Sequence, residues 1–406
     1  MSFQTGLSGL NAASRNLDVI GNNIANANTV GAKVARAEFS EIVAASTIAS
    51  NGRTEGIGVE VATVAQQFTQ GVVNVTGNPL DIAINGAGFF RLTLPDGSAA
   101  YTRGGEFKLD TEGNVVTNAK AKLMGYPTSI DGVATSSTLQ PMTLPTGSPI
   151  PARATTSITA ELNLNASAPI WNIPVPTTPL TTYGTSLNVY DSQGSAIPTS
   201  VYMRKTASDT WQVYTDPTSD VTATGSLAAT LTFDTNGQLV SSVPALPAIS
   251  LVSPNPNIGT FSATLDVTKA TQYATSFAVT DLAQDGYAAG DFVALSIGDN
   301  GVIKARYSNG QTQATGQIAI ADFRNVQGLR PTANGNWVET VDSGQPIVGE
   351  PGVGKFGALR AGALEESNID LTSELVNMMT AQRTYQANAQ TIKTQDQVLS
   401  TLTQLR

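Results

Sequence analysis

The chain contains no cysteine and no histidine. Those two absences remove thiolate nucleophiles, disulfides, Ser-His-Asp triads and nearly every zinc site, leaving carboxylate, lysine or tyrosine chemistry only. Charge is scarce too: 13% of residues are Asp, Glu, Lys or Arg, and the formal net charge is −9. Such a surface repels a phosphate backbone or an anionic membrane, so neither nucleic acid nor a membrane is an expected partner. No apolar run approaches the roughly 18 residues of a membrane span. The start, Met1-Ser2-Phe3-Gln4-Thr5-Gly6, has no basic n-region and no apolar h-region, so no cleavable secretory signal is expected. Composition alone would make this a soluble cytoplasmic protein.

What the chain does have is pattern. Its 406 residues, 41% of them apolar, can bury a sizeable core divided among two to four domains. Near the N-terminus, Phe3, Leu7, Leu10, Leu17 and Ile24 fall on an alternating four-three spacing, with Ser14 and Gly21 filling the missing steps. That is a heptad seam, widened by Ala13, Ile20 and Ala27, and Asn28, Thr29 and Gly31 end it. The C-terminus repeats the pattern with Leu371, Leu375, Met378, Gln382, Tyr385, Ala389, Ile392 and Leu399, drifting to Val398, Leu402 and Leu405. An unbroken helix over residues 371–405 would be about 50 Å long, and Ser367 to Asp370 supplies a capping-box start.

Between the helices lie short alternating segments and turn signals such as Pro95-Asp96-Gly97, Asp191-Ser192-Gln193-Gly194, Asp299-Asn300-Gly301 and Asn309-Gly310, which read as all-β. The clearest hairpin would set Val302–Tyr307 against Gln317–Phe323. Prolines from Pro141 to Pro179, within the Ser-, Thr- and Ala-rich stretch that starts at Thr135, mark a boundary without long regular elements. The expected fold is mainly β with terminal α: nested β domains on a long N-/C-terminal α-helical coiled-coil pair. Residues 1–70 with 359–406 would form the helical core and connector, 71–145 with 281–358 a discontinuous first β domain, and 146–280 an inserted outer β domain. Neither helix has enough apolar partners within the chain to bury its whole stripe, so the ends of an isolated subunit should fray. An ordinary helical hairpin covering the chain's own core is the plain alternative.

Two motifs invite a chemical reading. Gly352-Val353-Gly354-Lys355-Phe356-Gly357 matches G-x-G-x-x-G and nearly a P-loop, but Phe356 stands where a P-loop needs Ser or Thr, and Pro346 and Pro351 spoil a preceding strand. Glu365-Glu366, and Asp281 with Asp285, could be acid/base or cation pairs, yet paired carboxylates at a helix start more often complement its dipole. No catalytic residue, cofactor or metal is expected, and no enzyme activity.

The words of the sequence then carry a resemblance. Ser8-Gly9-Leu10-Asn11-Ala12-Ala13, Gly21-Asn22-Asn23-Ile24-Ala25-Asn26 and Asn28-Thr29-Val30-Gly31 resemble the N-terminal signature of the flagellar rod and hook axial proteins. Ala363-Leu364-Glu365-Glu366-Ser367-Asn368-Ile369-Asp370-Leu371 and Met379-Thr380-Ala381-Gln382-Arg383-Thr384-Tyr385 are similar to the C-terminal one. Thr76 to Gly86, Gly88-Phe89-Phe90 and Tyr101 to Phe107 match too; Val189 to Gly194, Gln284 to Gly290 and Tyr307 to Thr312 point to the hook branch. One departure is Ala32, before Lys33, where the family often has an aromatic residue.

The resemblance implies a structural subunit that polymerises into the curved tubular hook, a flexible joint carrying torque from rod to filament. It implies export without cleavage through the flagellar type III apparatus to an extracellular site, which overturns the cytoplasmic reading. Implied partners are other copies of the chain, rod and hook-filament junction proteins, the hook cap and the export apparatus. The alternatives are a distal rod subunit, disfavoured by the inserted domain, and a secreted β-rich adhesin, which leaves the paired heptads unexplained. The residues expected to drive self-assembly are Phe3, Leu7, Leu10, Leu17, Ile20, Ile24, Leu371, Leu375, Met378, Tyr385, Ile392, Leu399, Leu402 and Leu405.

Overall fold

A computed structural model describes residues 2–43, 56–145, 147, 149–170, 183–215 and 227–404. The N-terminal helix α1 runs Ser2–Ala25. It ends in the expected region: Asn26, Ala27 and Thr29 fold into turns, and Gly31 takes a φ of 71°, which a side chain would resist. The C-terminal helix α2 spans the 34 residues Leu371–Gln404, about 51 Å. Its cap is Asp370, whose carboxylate accepts hydrogen bonds from the amides of Thr372 (2.9 Å) and Ser373 (3.4 Å). The Ser367 hydroxyl is used earlier, by the Ile369 amide.

The two helices lie antiparallel, with Gly6 beside Ile392, Gly9 beside Asn388 and Asn23 beside Glu374. They meet through small and polar residues, not through the leucines. A Cβ on Gly9 would sit 2.9 Å from the Asn388 side-chain amide, so a larger residue there would push that side chain aside. Among the described residues, the buried positions of α1 are Gly6, Ala12, Ala13, Ile20 and Asn23, and those of α2 are Glu374 and Ala381. The expected leucine-seamed coiled coil is therefore not the intrachain contact: its seam is rotated away, because glycine and alanine let the axes come closer than leucine would. The described residues of both helices pair within the single chain.

Against α1 packs an antiparallel hairpin of β1 (Ala35–Val43) and β2 (Gly56–Gln66), which the sequence reading left within the connector. Asn23 fixes it, donating to the Ala35 carbonyl at 2.8 Å and accepting from the Ala35 amide at 3.0 Å. The Val59 amide also donates to the Ser8 hydroxyl, at 3.3 Å.

The chain divides into two compact units, residues 1–146 with 294–305 and 312–406, and residues 147–293 with 306–311. Beyond the helices and hairpin, the first unit is built on a branched 13-stranded sheet whose middle runs through Lys122–Tyr126, Phe89–Thr93 and Ala99–Thr102. Phe90, Leu92, Leu123, Ile318 and Ile320 fill its main core. A second cluster sets Phe89, Trp337 and Phe68 edge to face at 5.5–5.6 Å. The hairpin expected around Asn309-Gly310 forms, but its return strand is Thr312–Ile318, closed by a hydrogen bond from the Tyr307 amide to the Gln311 carbonyl. Residues 320–322 pair elsewhere, with Phe89–Phe90 and Ile347–Gly349.

The second unit has two five-stranded sheets sharing one core. Ile158, Leu162 and Leu164 from one meet Trp211, Val213 and Leu231 from the other. Strict alternation along Ser157–Asn165 turns every second side chain inward, giving a nine-residue strand inside the proline-rich stretch expected to lack regular structure. Part of that stretch, residues 171–182, lies outside the described residues. The unit runs past residue 280 because Ala278–Gln284 pairs along Ser157–Asn165, and Arg153 and Ile150 pair with Tyr287 and Gly290.

Trp211 is fully buried and its indole donates to Gln272 at 2.9 Å. Trp211→Ala should cost about 3–5 kcal/mol. Calorimetry should show that loss in the transition of the second unit while the first unit's transition keeps its temperature.

Candidate assembly site

Both connectors between the terminal helices and the β units pass through one buried charge cluster. Lys33, just after α1, places its ammonium 2.5 Å from Glu365 Oε1 and 2.7 Å from the Thr69 carbonyl. Glu365, just before α2, is fully buried, and its other oxygen lies 3.0 Å from Arg103 Nε, an electrostatic contact without good hydrogen-bond alignment. Arg103 also donates from its two terminal nitrogens to the carbonyls of Gly88 (2.5 Å) and Gly86 (2.9 Å). The Gly71 amide donates to Glu365 Oε1 at 3.0 Å, and the Gly31 amide to the Glu365 carbonyl at 2.8 Å. Asn368 completes the knot, accepting from the Val34 amide at 2.8 Å and donating to the Gln67 carbonyl at 2.9 Å.

Backbone crowding there dictates glycine. A Cβ on Gly31 would meet the Gly104 nitrogen at 2.6 Å, and one on Gly71 the Glu366 carbonyl at 2.0 Å. Burial pulls the Lys33 pKa below the ordinary 10.5 even though Glu365 acts in the opposite direction. Glu365 was expected to complement a helix dipole; it sits instead at the end of the strand Ala363–Glu365, as the counter-charge of two buried cations. Its neighbour Glu366 accepts from Asn74. Ala32 leaves no gap at this junction that opens Lys33 to water: the lysine side chain is wholly covered.

The glycine-rich loop has a structural explanation. Gly352 to Gly357 leads into the strand Ala358–Ala361, not a helix, so the context a phosphate loop needs is missing. Lys355 pairs with Asp322 at 2.6 Å, and the Phe356 ring occupies the space over Gly349. Asp285 is likewise consumed, accepting from the Thr156 and Ser157 amides and pairing with Arg153.

The residues expected to drive assembly lie along both helices, at different depths. Ile20 is buried at 5% exposure, while Leu10, Leu17, Ile24, Met378 and Ile392 are half-buried. Leu7 (44%), Leu371, Leu375 (51%) and Tyr385 are exposed. Phe3, Leu399 and Leu402 lie within the helices but their side chains, like all of Leu405, are outside the described residues. With the helices antiparallel and about 100° turned per residue, the stripes of both fall on the same side of the pair. Gln382 and the exposed Asp396 interrupt the α2 stripe, as Ser14 and Gly21 do that of α1.

Glu365→Gln leaves Lys33 and Arg103 without a counter-charge in the interior and should cost the first unit about 3–5 kcal/mol. Lys33→Met, which keeps the Arg103 contact, should cost less; guanidinium unfolding followed through Trp337 ranks the two. The pH dependence has a defined sign. Between the lowered folded value and 10.5 the unfolded chain binds more protons at Lys33, so this residue's contribution to stability rises with pH across that window. Lys33→Met should flatten the unfolding free energy there.

Four family models match successive parts of the chain: flagella basal body rod protein over residues 3–33, flagellar hook protein FlgE/F/G D1 domain over 83–161, flagellar basal body protein FlaE D2 domain over 163–287, and flagellar basal body rod FlgEFG protein C-terminal over 360–405. The chain is 42% identical to the flagellar hook protein FlgE of Escherichia coli K12 and 42% identical to that of Salmonella typhimurium LT2, each alignment covering all of both chains. It is 32% identical to FlgE of Rhizobium meliloti over its whole length and 98% of the relative. The crystal structure of Helicobacter pylori flagellar hook protein FlgE2 shares the fold, with a TM-score of 0.54 at 16% identity over 72% of this chain and all of that one. Paired terminal helices, an inserted β unit and full-length identity together show that this chain belongs to the flagellar hook protein FlgE family, as a hook subunit.

Proposed function

We propose that the subunit builds a curved tube by packing its terminal helices against those of neighbouring copies, and that the tube acts as a flexible joint transmitting torque. The observation that carries this is the set of apolar side chains left exposed once α1 and α2 have paired: Leu7 and Leu375 remain about half exposed although a seam has already formed. Isolated apolar side chains on a surface are ordinary, but two stripes at heptad spacing on one side of a helix pair call for a partner. In this reading residues 1–70 with 359–406 form the inner core, and the β domains of neighbouring copies slide against one another as the tube turns. Sparse charge supports sliding, since few ion pairs can lock outer contacts.

Family resemblance supports the remaining assignments: export without cleavage through the flagellar type III apparatus, and contact with rod proteins, hook-filament junction proteins and a hook cap. The role is structural, resting on geometry and assembly, with no chemical step assigned.

Removing the helices while keeping the knot tests the first claim. A chain lacking residues 1–25 and 371–406 should stay folded by circular dichroism yet sediment as a monomer where the full chain forms polymers; polymers from the shortened chain would refute helix-driven assembly. Sliding is tested separately, and a chain without cysteine suits the purpose. Cysteine pairs introduced between outer β units of neighbouring copies should, once oxidised, straighten and stiffen the tubes in electron micrographs. Oxidised tubes that still curve and rotate normally would rule sliding out.

A further inference from the structure

The charge cluster at the two connectors does not balance. Lys33 and Arg103 bring two positive charges and Glu365 one negative, in a place that water hardly reaches: their side chains are 0%, 5% and 0% exposed. Glu366, the next carboxylate along the chain, is exposed and accepts from Asn74. A charge held in the interior without a counter-charge is costly, and the usual escape is to give up the charge. Arginine cannot do so. Lys33 is drawn that way: burial lowers its pKa most, and repulsion from Arg103 adds to the lowering against the pull of Glu365.

Beside the cluster lies a cavity of about 280 Å³, lined by Lys33, Arg103 and Asp322 together with Phe68, Phe89 and residues 86–88. Asp322 is the one acidic residue in this lining among the described residues, and it is already engaged. Its Oδ2 pairs with Lys355 at 2.6 Å and its Oδ1 accepts from the Phe323 amide at 2.8 Å. With Lys355 counted, three cations face two carboxylates, so one positive charge is still in excess. Donors are available as well. An ammonium has three N–H groups, of which Lys33 gives two, to Glu365 and the Thr69 carbonyl. A guanidinium has five, of which Arg103 directs three at Glu365, Gly88 and Gly86. Aromatic side chains in the lining keep the local dielectric low, which strengthens the attraction of these groups for a negative charge.

We propose that this cavity binds one small monovalent inorganic anion, of chloride size, between Lys33 and Arg103, and that the ion neutralises the cluster and locks the junction from which both helices leave the β unit. A divalent anion would overshoot the single excess charge. A nucleotide or another large anion needs more space than this. The rigidity of the junction then depends on the surrounding salt through one bound ion and not through general screening, because buried charges are screened little.

The test is hydrogen exchange on the full-length subunit, at a concentration where it stays monomeric, with sodium chloride replacing sodium gluconate at constant ionic strength. The Gly31 and Gly71 amides, both bonded to Glu365, report the junction. Amides of the core strand Ser157–Asn165 in the second unit are the internal control. Once the site fills, exchange at Gly31 and Gly71 should slow about tenfold for each tenfold rise in chloride, as expected for a single ion released on opening, while the control amides keep their rates. Lys33→Met removes the excess charge and should abolish the chloride dependence, whatever it does to the rates themselves. Asp322→Asn releases Lys355, adds to the excess and should bring on the effect at lower chloride; an unchanged or higher requirement would overturn the cavity as the site. No chloride dependence in the wild-type chain would overturn the proposal and mean that Lys33 sheds its proton instead. Equal slowing at the control amides would overturn it in favour of a general salt effect, and a dependence that survives Lys33→Met would place the ion elsewhere.

Discussion

A buried ion pair between residues 332 positions apart holds the two ends of this chain together. Lys33 and Glu365, wholly removed from water, tie the segment leaving α1 to the segment entering α2, and Arg103 ties both to the β unit through the Gly86 and Gly88 carbonyls. Such a contact adds little net stability over a well-packed apolar one, but breaking it strands a charge in the interior. Its value lies in direction: lysine, carboxylate and guanidinium satisfy one another in one arrangement, so the helices leave the β unit at a fixed place. The α1–α2 seam and the hairpin then follow from where the connectors begin.

The division of labour along each helix follows from that placement. The faces turned toward each other use Gly6, Gly9, Ala13 and Ala381, whose small size allows close approach, and polar pairs such as Asn23 with Glu374 that fix the axial position. The leucines are thereby left outside the intrachain seam. A subunit built this way holds its shape and still leaves apolar side chains such as Leu7 and Leu375 exposed.

Much of this was legible from sequence, unevenly. Heptad spacing located both helices to within a few residues, since the period of an amphipathic helix is a local property. Turn residues placed the β texture between the helices. What periodicity could not show is which face of a stripe meets which partner. Gly6 and Gly9 add nothing to an apolar pattern, although close contact is what glycine supplies. The hairpin was missed because the alternation of Phe39 and Ile42 with Val59, Val61 and Val64 is split by a long connection. The knot was missed for a different reason: Lys33, Arg103 and Glu365 are far apart in sequence, and nothing local marks a carboxylate as buried. A signal was present all the same. Gly31, Arg103, Glu365 and Asn368 all stand in the words that carried the family resemblance, and those words converge at this one place.

Hydrogen exchange on the monomer and the polymer, compared amide by amide, tests the central claim most directly. If the knot is built within the single chain and the helices are completed only by neighbours, the Gly31 and Gly71 amides, both bonded to Glu365, should be protected equally in monomer and polymer. The amides of α1 should gain protection on assembly by a large factor. Equal protection of α1 in both states, or a knot that becomes protected only in the polymer, would contradict the account.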